Sequence, residues 1–427
     1  MLPMKAIKLF FVCLFLNVSA KAQDYILDSI KEVHSFIAYD SNRIKFAEES
    51  PNFKRLYHTL DLIRQGYERK LHIFHIGGSH IQADLYPDRL RSYFQNMSPS
   101  AKGARSFLFP YKLAEAYNPR NFYVSYTGRW TGYRCSKRDT IAWGLSGISA
   151  KCKDTLATVQ IHANHTNYTA SPYSFDRVRV FYDTWTDDYE VSLPDSIGYC
   201  SSQINHQGQY IEFRLSQSIK EISFNIRQIK DTIGAQFVLM GVELMNDDKG
   251  IEYTSIGVNG ASFVSYEKCR HFYRQMAVYQ PDLFIISIGT NDTYTTNFNA
   301  DKYKDSYRYM IDQILKINPD CAILLTVPND SYYRKRYANP FTKDAETVIY
   351  ELAKEYKMAV WDFYEIMGGL KSSYAWYRQK LMPSDRIHFS KTGYDIKADL
   401  LLEAIAHSME EVLQLPKDTV LKQMIHE

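Results

Sequence analysis

Two patterns of hydrophobic and polar positions divide the chain. From Ile251 onward, short apolar runs alternate with amphipathic segments, and an earlier apolar run ends at Gly77-Gly78. This pattern is typical of buried strands separated by helices, and it predicts a parallel sheet with helices on both faces. We predict strands at 71–76, 252–257, 283–288, 322–327 and 358–361, and helices at 54–67, 262–279, 300–317, 342–356 and 391–413.

Residues 120–248 have a different pattern. Apolar and polar residues alternate with period two, and Gly, Asn, Asp and Ser stand between the runs. Such alternation is typical of antiparallel strands in a β-sandwich, here predicted at 158–162, 177–182, 209–214 and 221–226. We therefore expect a β-sandwich domain at 120–248 that interrupts an α/β domain formed by residues 23–119 and 249–427.

The first 22 residues have the layout of a secretory signal peptide. Lys5 and Lys8 precede an apolar run at 9–16, and Ala20-Lys21-Ala22 supplies the small residues of a cleavage site. An uncleaved anchor is the alternative, but the apolar run is shorter than the roughly 20 residues that cross a bilayer. We expect cleavage near Ala22, a periplasmic or extracellular mature protein, and no stable membrane insertion.

Charge and cysteine content narrow the possible partners. The chain has 51 basic and 48 acidic residues, and removal of the signal peptide with its three lysines leaves 48 of each. A balanced chain gives no reason to expect nucleic acid as a partner, and the oligomeric state stays open. Cys135 and Cys152 could form a disulfide, whereas Cys269 and Cys321 fit core positions, and no Cys/His spacing indicates zinc.

Four segments place reactive residue types directly after predicted strands or before a predicted helix. They are 77–84 with Ser79, 255–262 with Gly260, 287–292 with Asn291, and 383–390 with Asp385 and His388. The carboxyl ends of parallel strands share one edge of a sheet, where open α/β folds build their sites. Each segment alone also has an ordinary structural interpretation, such as a serine that caps a helix or a glycine in a tight turn.

Together the segments supply the parts of a nucleophilic hydrolase site. Asp385 can orient the His388 imidazole, whose other nitrogen takes the proton of Ser79. A helix that starts at Ser79, the Gly260 backbone N–H and the Asn291 amide can stabilise an oxyanion. This chemistry uses neither a metal ion nor an organic cofactor, and none is predicted.

The order of these segments resembles the SGNH/GDSL hydrolase superfamily, whose four blocks supply a Ser, a Gly, an Asn and a His. The resemblance implies a flavodoxin-like three-layer α/β fold. It assigns catalysis to Ser79, His388 and Asp385, and the oxyanion hole to Ser79, Gly260 and Asn291. Gly260 is preferred to Gly257 because of the spacing within the family's second block.

One branch of the superfamily fits best. Ser-His followed by Ala-Asp within 79–84 resembles bacterial peptidoglycan O-acetylesterases, in which a carbohydrate-binding-module-like β-sandwich lies between blocks one and two. Here 172 residues separate Asp84 from Gly257. Block one departs from the family's Gly-Asp-Ser, because Gly78 stands in place of the Asp.

Other polar residues are assigned supporting roles. His80, Asp84 and Asp292 are interpreted as supports of local loops, and His72 and His75 as core histidines with satisfied hydrogen bonds. Three tryptophans of the β-domain could stack on sugar rings, although burial in the sandwich is the more common role: Trp130, Trp143 and Trp185.

These observations predict an exported serine esterase that removes O-acetyl groups from a glycan, peptidoglycan or another polysaccharide, through an acyl-serine. Two alternatives remain open. One is a lipase or thioesterase of the same fold, which would need an apolar groove for its acyl chain. The other is a non-catalytic glycan-binding relative in which Gly78 marks a lost activity.

Overall fold

The computed structural model describes residues 30–165, 171–184 and 187–425. The predicted signal peptide, its cleavage site near Ala22, and Trp185 lie outside these ranges. Within the described ranges, no helix is both long enough and apolar enough to cross a membrane.

A six-stranded sheet forms the centre of the α/β part. Its strands are β1 (Ile44–Phe46), β2 (Lys70–Gly77), β14 (Gly250–Gly257), β15 (Leu283–Ser287), β16 (Ala322–Thr326) and β19 (Ala359–Trp361). In space they follow the order β1-β19-β16-β15-β2-β14. Neighbouring strands are parallel except for β1 and β19, so the predicted parallel sheet is confirmed.

Helices cover this sheet. They are α1 (Pro51–Arg64), α2 (Ser79–Gln82), α3 (Leu85–Asn96), α4 (Phe263–Glu267), α5 (Phe272–Met276), α6 (Thr290–Thr293), α7 (Ala300–Ile317), α8 (Phe341–Tyr356), α9 (Phe363–Met367), α10 (Ser372–Arg378), α11 (Lys391–Leu413) and α12 (Thr419–Ile425). The bounds of α7 and α11 agree with the predicted helices. The single helix predicted at 262–279 is wrong: it is split into α4 and α5, because the His271 backbone N–H donates to the Trp143 carbonyl at 3.2 Å instead of continuing a helix.

The remaining strands are antiparallel. They are β3 (Ser106–Leu108), β4 (Tyr123–Tyr126), β5 (Trp130–Arg134), β6 (Ile148–Cys152), β7 (Leu156–His162), β8 (Phe175–Tyr182), β9 (Tyr189–Ser192), β10 (Tyr199–Asn205), β11 (Tyr210–Ile219), β12 (Glu221–Gln228), β13 (Phe237–Met245), and the pair β17 (Tyr332–Tyr333) and β18 (Tyr337–Ala338). One sheet has the order β10-β11-β8-β13-β6-β5, with β3 also paired to β13, and another has the order β4-β7-β12-β9. The extra antiparallel sheets agree with the predicted fold class.

The inserted segment leaves and re-enters the α/β part at neighbouring positions. Ser106 pairs with Leu244, and Lys102 forms a parallel bridge with Ile251. Strand β3, which lies before the expected boundary at residue 120, thus pairs within the larger antiparallel sheet. Adjacent ends are what the insertion of a segment into a folded domain requires.

The hydrophobic core runs from the six-stranded sheet into the insertion. One cluster of buried residues contains Phe74 and Ile76 of β2, Ile311 of α7, and Val159 and Phe224 of the antiparallel strands. A second cluster joins the opposite face of the sheet to α1, α3 and α11. The insertion therefore shares a hydrophobic core with one face of the sheet and is packed against it, rather than joined to it only by flexible linkers.

The cysteines that could have formed a disulfide do not. Cys135 and Cys152 are buried free thiols, and Cys269 and Cys321 are buried as expected.

Candidate active site

Ser79, His388 and Asp385 form a continuous hydrogen-bonded array, here called the relay. The Ser79 Oγ lies 2.8 Å from the His388 Nε2, and the His388 Nδ1 lies 2.9 Å from the Asp385 Oδ2. Ser79 opens α2 at the end of β2, while Asp385 and His388 precede α11. The structure thus brings together residues that lie 309 positions apart in the chain.

The Asp385 carboxylate is ionised and oriented toward the imidazole. Its Oδ1 accepts the backbone N–H groups of Ile387 at 2.9 Å and His388 at 3.1 Å. Burial opposes ionisation, but the hydrogen bonds, led by the one from the His388 ring, hold the pKa of Asp385 well below its usual value. An ionised Asp385 accepts the Nδ1–H of His388, which leaves Nε2 as the acceptor for the Ser79 hydroxyl.

The two glycines before Ser79 permit close packing around this segment. A Cβ on Gly77 would lie 2.4 Å from Ile81 Cγ1, and a Cβ on Gly78 would lie 2.9 Å from Asn291 Nδ2. Gly78 therefore lets the Asn291 amide approach the backbone next to Ser79. In this chain, an Asp at position 78 would require Asn291 to move.

The helix that starts at Ser79 is a single turn. Helix α2 has only four residues, and Asp84 adopts a left-handed conformation with φ of 49° before α3 begins. A single turn has little macrodipole, so the dipole of this helix contributes little at this position. Any oxyanion here depends on individual N–H donors.

Asn291 and Gly260 present two such donors. Asn291 Nδ2 donates one hydrogen to the Ala261 carbonyl at 2.9 Å, and its second hydrogen stays available. Gly260 has a φ of +80° and is exposed, and its backbone N–H has no hydrogen-bond partner among the described residues. Both donors lie on segments that follow strands adjacent to β2.

Gly257 has a different position from Gly260. A Cβ on Gly257 would lie 2.1 Å from the Gln82 backbone nitrogen, so this glycine permits close packing of β14 against α2. Its carbonyl accepts the Tyr111 hydroxyl at 3.2 Å. The geometry therefore gives Gly257 a packing role, and the choice of Gly260 as the oxyanion donor stays a prediction.

The segment at 257–261, here called the glycine loop, is held by residues that the sequence did not single out. Gln82 Oε1 accepts the Asn259 N–H at 2.6 Å, and Ser136 Oγ donates to the Asn259 carbonyl at 2.8 Å. With Tyr111, these side chains fix both sides of the loop. Nothing in their local sequence identifies them, because each acts through a tertiary contact.

His80 supports the relay from below. Its ring centroid lies 5.3 Å from that of His388, and its Nδ1 lies 2.9 Å from the Tyr394 hydroxyl. Burial, and then the nearby Lys397, lower the pKa of His80 well below its usual value, so the ring is neutral. A neutral neighbour does not oppose the positive charge that His388 would acquire as a base.

Lys397 lies in an aromatic cage beneath this pair. Its Nζ is 4.3 Å from the Phe363 ring centroid, 5.3 Å from that of Tyr86 and 5.5 Å from that of Phe389. Burial lowers the pKa of Lys397 to about 7. The rings offset part of the cost of burying this ammonium group.

Asp84 anchors the turn after the nucleophile. Its carboxylate accepts from the Ser255 hydroxyl at 2.7 Å, the Asn121 amide at 2.7 Å and the Arg91 guanidinium at 3.0 Å. Burial opposes ionisation, but Arg91 and Arg105 hold the pKa of Asp84 below its usual value. The contacts fit the predicted role as a local support and tie α2 to the insertion.

Asp292 also supports a loop, and His75 is a core residue. Asp292 accepts the Phe263 N–H at 3.1 Å at the start of α4, and burial raises its pKa to about 7. His75 is fully buried, with its ring nitrogens 2.7 Å from the Tyr253 hydroxyl and 2.8 Å from Ser287 Oγ. His72 differs from the core interpretation, because it is partly exposed beside Glu252.

Metal-type donors converge elsewhere in the described part of the chain. His407, Glu410 and Asp418 have ligand atoms within 4.8 Å of one another. Glu410 already accepts backbone N–H groups at the start of α12, from Val420 at 2.7 Å and Asp418 at 2.9 Å. His407 lies some four turns along α11 from the relay, so this cluster caps a helix away from the site.

Comparison with known proteins shows a family match and a shared fold. Residues 240–396 match the GDSL-like Lipase/Acylhydrolase family. A solved structure of a peptidoglycan O-acetylesterase is 20% identical and covers 87% of this chain and 99% of its own, with a TM-score of 0.69. No curated protein is significantly similar in sequence.

Two solved structures of acetyl xylan esterases match a smaller part of this chain. AlAXEase is 20% identical over 36% of this chain and 81% of its own, with a TM-score of 0.30. A catalytic mutant of Axe2 from Geobacillus stearothermophilus is 20% identical over 36% of this chain and 73% of its own, with a TM-score of 0.29. The predicted resemblance is confirmed by the family match and the shared fold: residues 240–396 match the GDSL-like Lipase/Acylhydrolase family, and the protein is a carboxylic ester hydrolase with the SGNH/GDSL hydrolase fold.

Proposed function

We propose that this protein is exported and removes O-acetyl groups from a glycan, either peptidoglycan or another acetylated polysaccharide. The observation that carries the proposal is the hydrogen-bonded relay of Ser79, His388 and Asp385, with the Asn291 amide and the Gly260 N–H on the segments that follow the two neighbouring strands. Nucleophile, base and oxyanion donors are the parts that acyl transfer requires. The signal-peptide pattern of residues 1–22 supports export.

The relay supports a two-step reaction. His388 Nε2 takes the Ser79 proton as Oγ attacks the acetyl carbonyl carbon, and the carbonyl electron pair moves to oxygen. Collapse of this tetrahedral species expels the sugar oxygen, which takes the proton from His388. Water then attacks the acetyl-serine with His388 again as base, and acetate leaves as Ser79 recovers its proton.

The oxyanion of each step would be met by three donors. These are the backbone N–H groups of Ser79 and Gly260 and the second hydrogen of the Asn291 amide. Such preorganised donors act only on charge that develops in the transition state. Asp385 remains ionised throughout and stabilises the imidazolium form of His388.

The surroundings of Asn291 favour a sugar ester over a long acyl chain. The cleft that borders Asn291 combines many hydrogen-bonding side chains with an apolar surface: Ser262, Asp292, Thr295, Asn297, Asn299, Lys302 and Ser306, with Val264, Phe298 and Tyr303. A sugar ring can use both kinds of surface, through its hydroxyl groups and its apolar face, whereas a long acyl chain would leave the hydrogen-bonding side chains without partners. The similarity to a peptidoglycan O-acetylesterase also extends over more of the chain than the α/β part alone provides.

The insertion is proposed to contribute to glycan recognition through its surface and not through its core tryptophans. Trp130 is 9% exposed and Trp143 is 3% exposed, so both pack inside the fold. The Trp143 carbonyl also bonds to His271, which ties it to the α/β part.

Acetate release from O-acetylated peptidoglycan and O-acetylated xylan tests the proposal. Enzyme recovered outside the cytoplasm, with Gln23 expected as its first residue, should release acetate from at least one of these polymers. Ser79→Ala should reduce the rate by about 10³-fold or more, because no neighbouring hydroxyl replaces the nucleophile. Ser41→Ala, which removes a serine bonded to Glu365 at 2.9 Å, is the matched control and should retain activity.

Two results would contradict the proposal. A folded Ser79→Ala protein with wild-type turnover would exclude the acyl-serine route. Hydrolysis of 4-nitrophenyl acetate without acetate release from either polymer would exclude O-acetylated peptidoglycan and O-acetylated xylan as substrates.

A further inference from the structure

The glycine loop contacts the insertion at the peptide that carries the proposed oxyanion donor. The carbonyl of Asn259 and the N–H of Gly260 belong to one peptide unit. Ser136, which follows β5 of the insertion, donates its hydroxyl to this carbonyl at 2.8 Å. A Cβ placed on Gly260 would lie 3.7 Å from the Ser136 Oγ, which shows how closely the two segments approach.

The peptide geometry links this contact to catalysis. In a planar trans peptide, the C=O and N–H bonds point in opposite directions. A donor that holds the Asn259 oxygen therefore fixes the direction of the Gly260 N–H on the other side. Hydrogen bonding to the carbonyl also polarises the same peptide and strengthens its N–H as a donor.

The segment that carries Ser136 is itself fixed. The Cys135 N–H donates to the Gly147 carbonyl and the Lys137 N–H to the Arg134 carbonyl, both at 2.9 Å. Lys268, which follows α4, donates its Nζ to the Lys137 carbonyl at 2.7 Å. Ser136 is thus presented by a braced turn rather than by a free loop.

The insertion also packs directly against the residue before Asn259. Gly147 has a φ of +65°, and a Cβ there would lie 2.9 Å from Val258 Cγ2. On the other side of the loop, Tyr111 holds the Gly257 carbonyl and Gln82 holds the Asn259 N–H. The loop is therefore clamped between the nucleophile segment and the insertion.

We propose that the inserted β-domain is part of the oxyanion machinery, with Ser136 as the positioning residue that aims the Gly260 N–H at the reacting carbonyl. Tyr111 assists by fixing the start of the same loop. This inference rests on the proposed function, because it deepens the role of Gly260 in that reaction. It implies that the insertion affects hydrolysis of a small soluble ester and not only of a polymer.

Ser136→Ala tests the inference with 4-nitrophenyl acetate as substrate. We expect kcat and kcat/KM to fall together by about 5- to 10-fold, since a misdirected donor loses part of the stabilisation that a whole oxyanion donor supplies. Ser136→Thr keeps a hydroxyl and should restore most of the rate. Ser125→Ala removes a serine of the same domain that bonds to Gln160 at 2.7 Å, and it should leave the rate unchanged.

Folding is monitored in parallel, because a role only in stability would not lower kcat of the folded enzyme. Ser136 is partly exposed, so its substitution should shift the thermal midpoint by only about 3 °C or less. A folded Ser136→Ala enzyme with wild-type kcat, while Ser79→Ala is inactive, would overturn the inference and leave the proposed function intact. Wild-type turnover in Ser79→Ala would instead overturn the proposed function itself.

Discussion

The relay and the glycine loop lie at the same edge of the sheet but are built in different ways. Ser79, His388 and Asp385 all belong to the α/β part, and their hydrogen bonds run directly between catalytic side chains. The glycine loop has no reacting side chain and takes its shape from Ser136, Tyr111 and Gln82. Proton transfer is therefore organised within the α/β part, whereas oxyanion stabilisation also depends on the insertion.

The largest loss of turnover is expected from a substitution that breaks the relay but keeps the shape of the side chain. Asp385→Asn keeps the size of the side chain but cannot accept the Nδ1–H in the same way, so His388 would lose its correct tautomer. We expect kcat on 4-nitrophenyl acetate to fall by about 10²- to 10⁴-fold with little change in KM.

The control for this variant is Asp395→Asn. Asp395 lies on α11, the helix that follows Asp385 and His388 in the chain, and it pairs with Lys391 at 2.7 Å on the surface. An Asp385→Asn enzyme within threefold of wild-type kcat would show that the carboxylate does not orient the base.

A smaller loss of activity is expected from substitution of Asn291, which contacts the glycine loop. Asn291 donates to the Ala261 carbonyl at 2.9 Å, which braces the glycine loop, and its second amide hydrogen is the proposed donor to the oxyanion. Asn291→Ala should lower kcat on the same ester by about 10²-fold, the loss typical of a single oxyanion donor. Its effect should exceed that of Ser136→Ala, because Asn291 would touch the oxyanion directly.

Asn318→Ala provides the comparison for this substitution. Its amide also donates to a backbone carbonyl, that of Pro281 at 2.9 Å, but at the opposite edge of the sheet. If both asparagine variants lost activity equally, the effect of Asn291 would be one of folding and not of position in the site.

Substitution of Lys397, which lies beneath the relay, should have the smallest effect on turnover but a clear effect on stability. Burial lowers the pKa of Lys397 from 10.5 to about 7. Between these values the unfolded chain keeps a proton that the folded protein has released, so the free energy of unfolding should rise with pH across this interval. The slope from this group alone is at most about 1.4 kcal/mol per pH unit.

Lys397→Met removes this contribution while keeping most of the side-chain volume. Urea unfolding at pH 6, 8 and 9.5 should show the largest stabilisation of the variant at pH 6, where the buried ammonium costs the folded protein most, and a progressively smaller one as pH rises. Equal differences at all three pH values would mean that Lys397 keeps its proton in the folded protein throughout this range.

The sequence predicted the relay better than the support of the glycine loop, for a physical reason. Ser79 follows an apolar strand, and Asp385 and His388 precede a long helix, so the order of the elements favours their meeting at one sheet edge. Helix α7 was predicted with its observed bounds because it is long and amphipathic, and α11 because it is long and largely apolar, being buried over most of its length.

Features that depend on tertiary contacts were not predictable in this way. The break between α4 and α5 is caused by the Trp143 carbonyl, which lies more than 100 residues away in the chain. Strand β3 has only three residues and is defined by its pairing with β13. Ser136 and Tyr111 carry no local signal, because their role depends on where the insertion packs.

The adjacent ends of the insertion have a consequence for how the chain reaches its native state. Strands β2 and β14 pair in register from Lys70 with Gly250 to Gly77 with Gly257, so their pairing must close a very long stretch of chain. If the insertion folds first, the pairing of Ser106 with Leu244 shortens this stretch to roughly 40 residues and reduces the loop-closure cost by about 1 kcal/mol. Early folding of the inserted strands would then lower the entropic barrier to assembly of the catalytic sheet, and the nucleophile would remain unassembled until that step was complete.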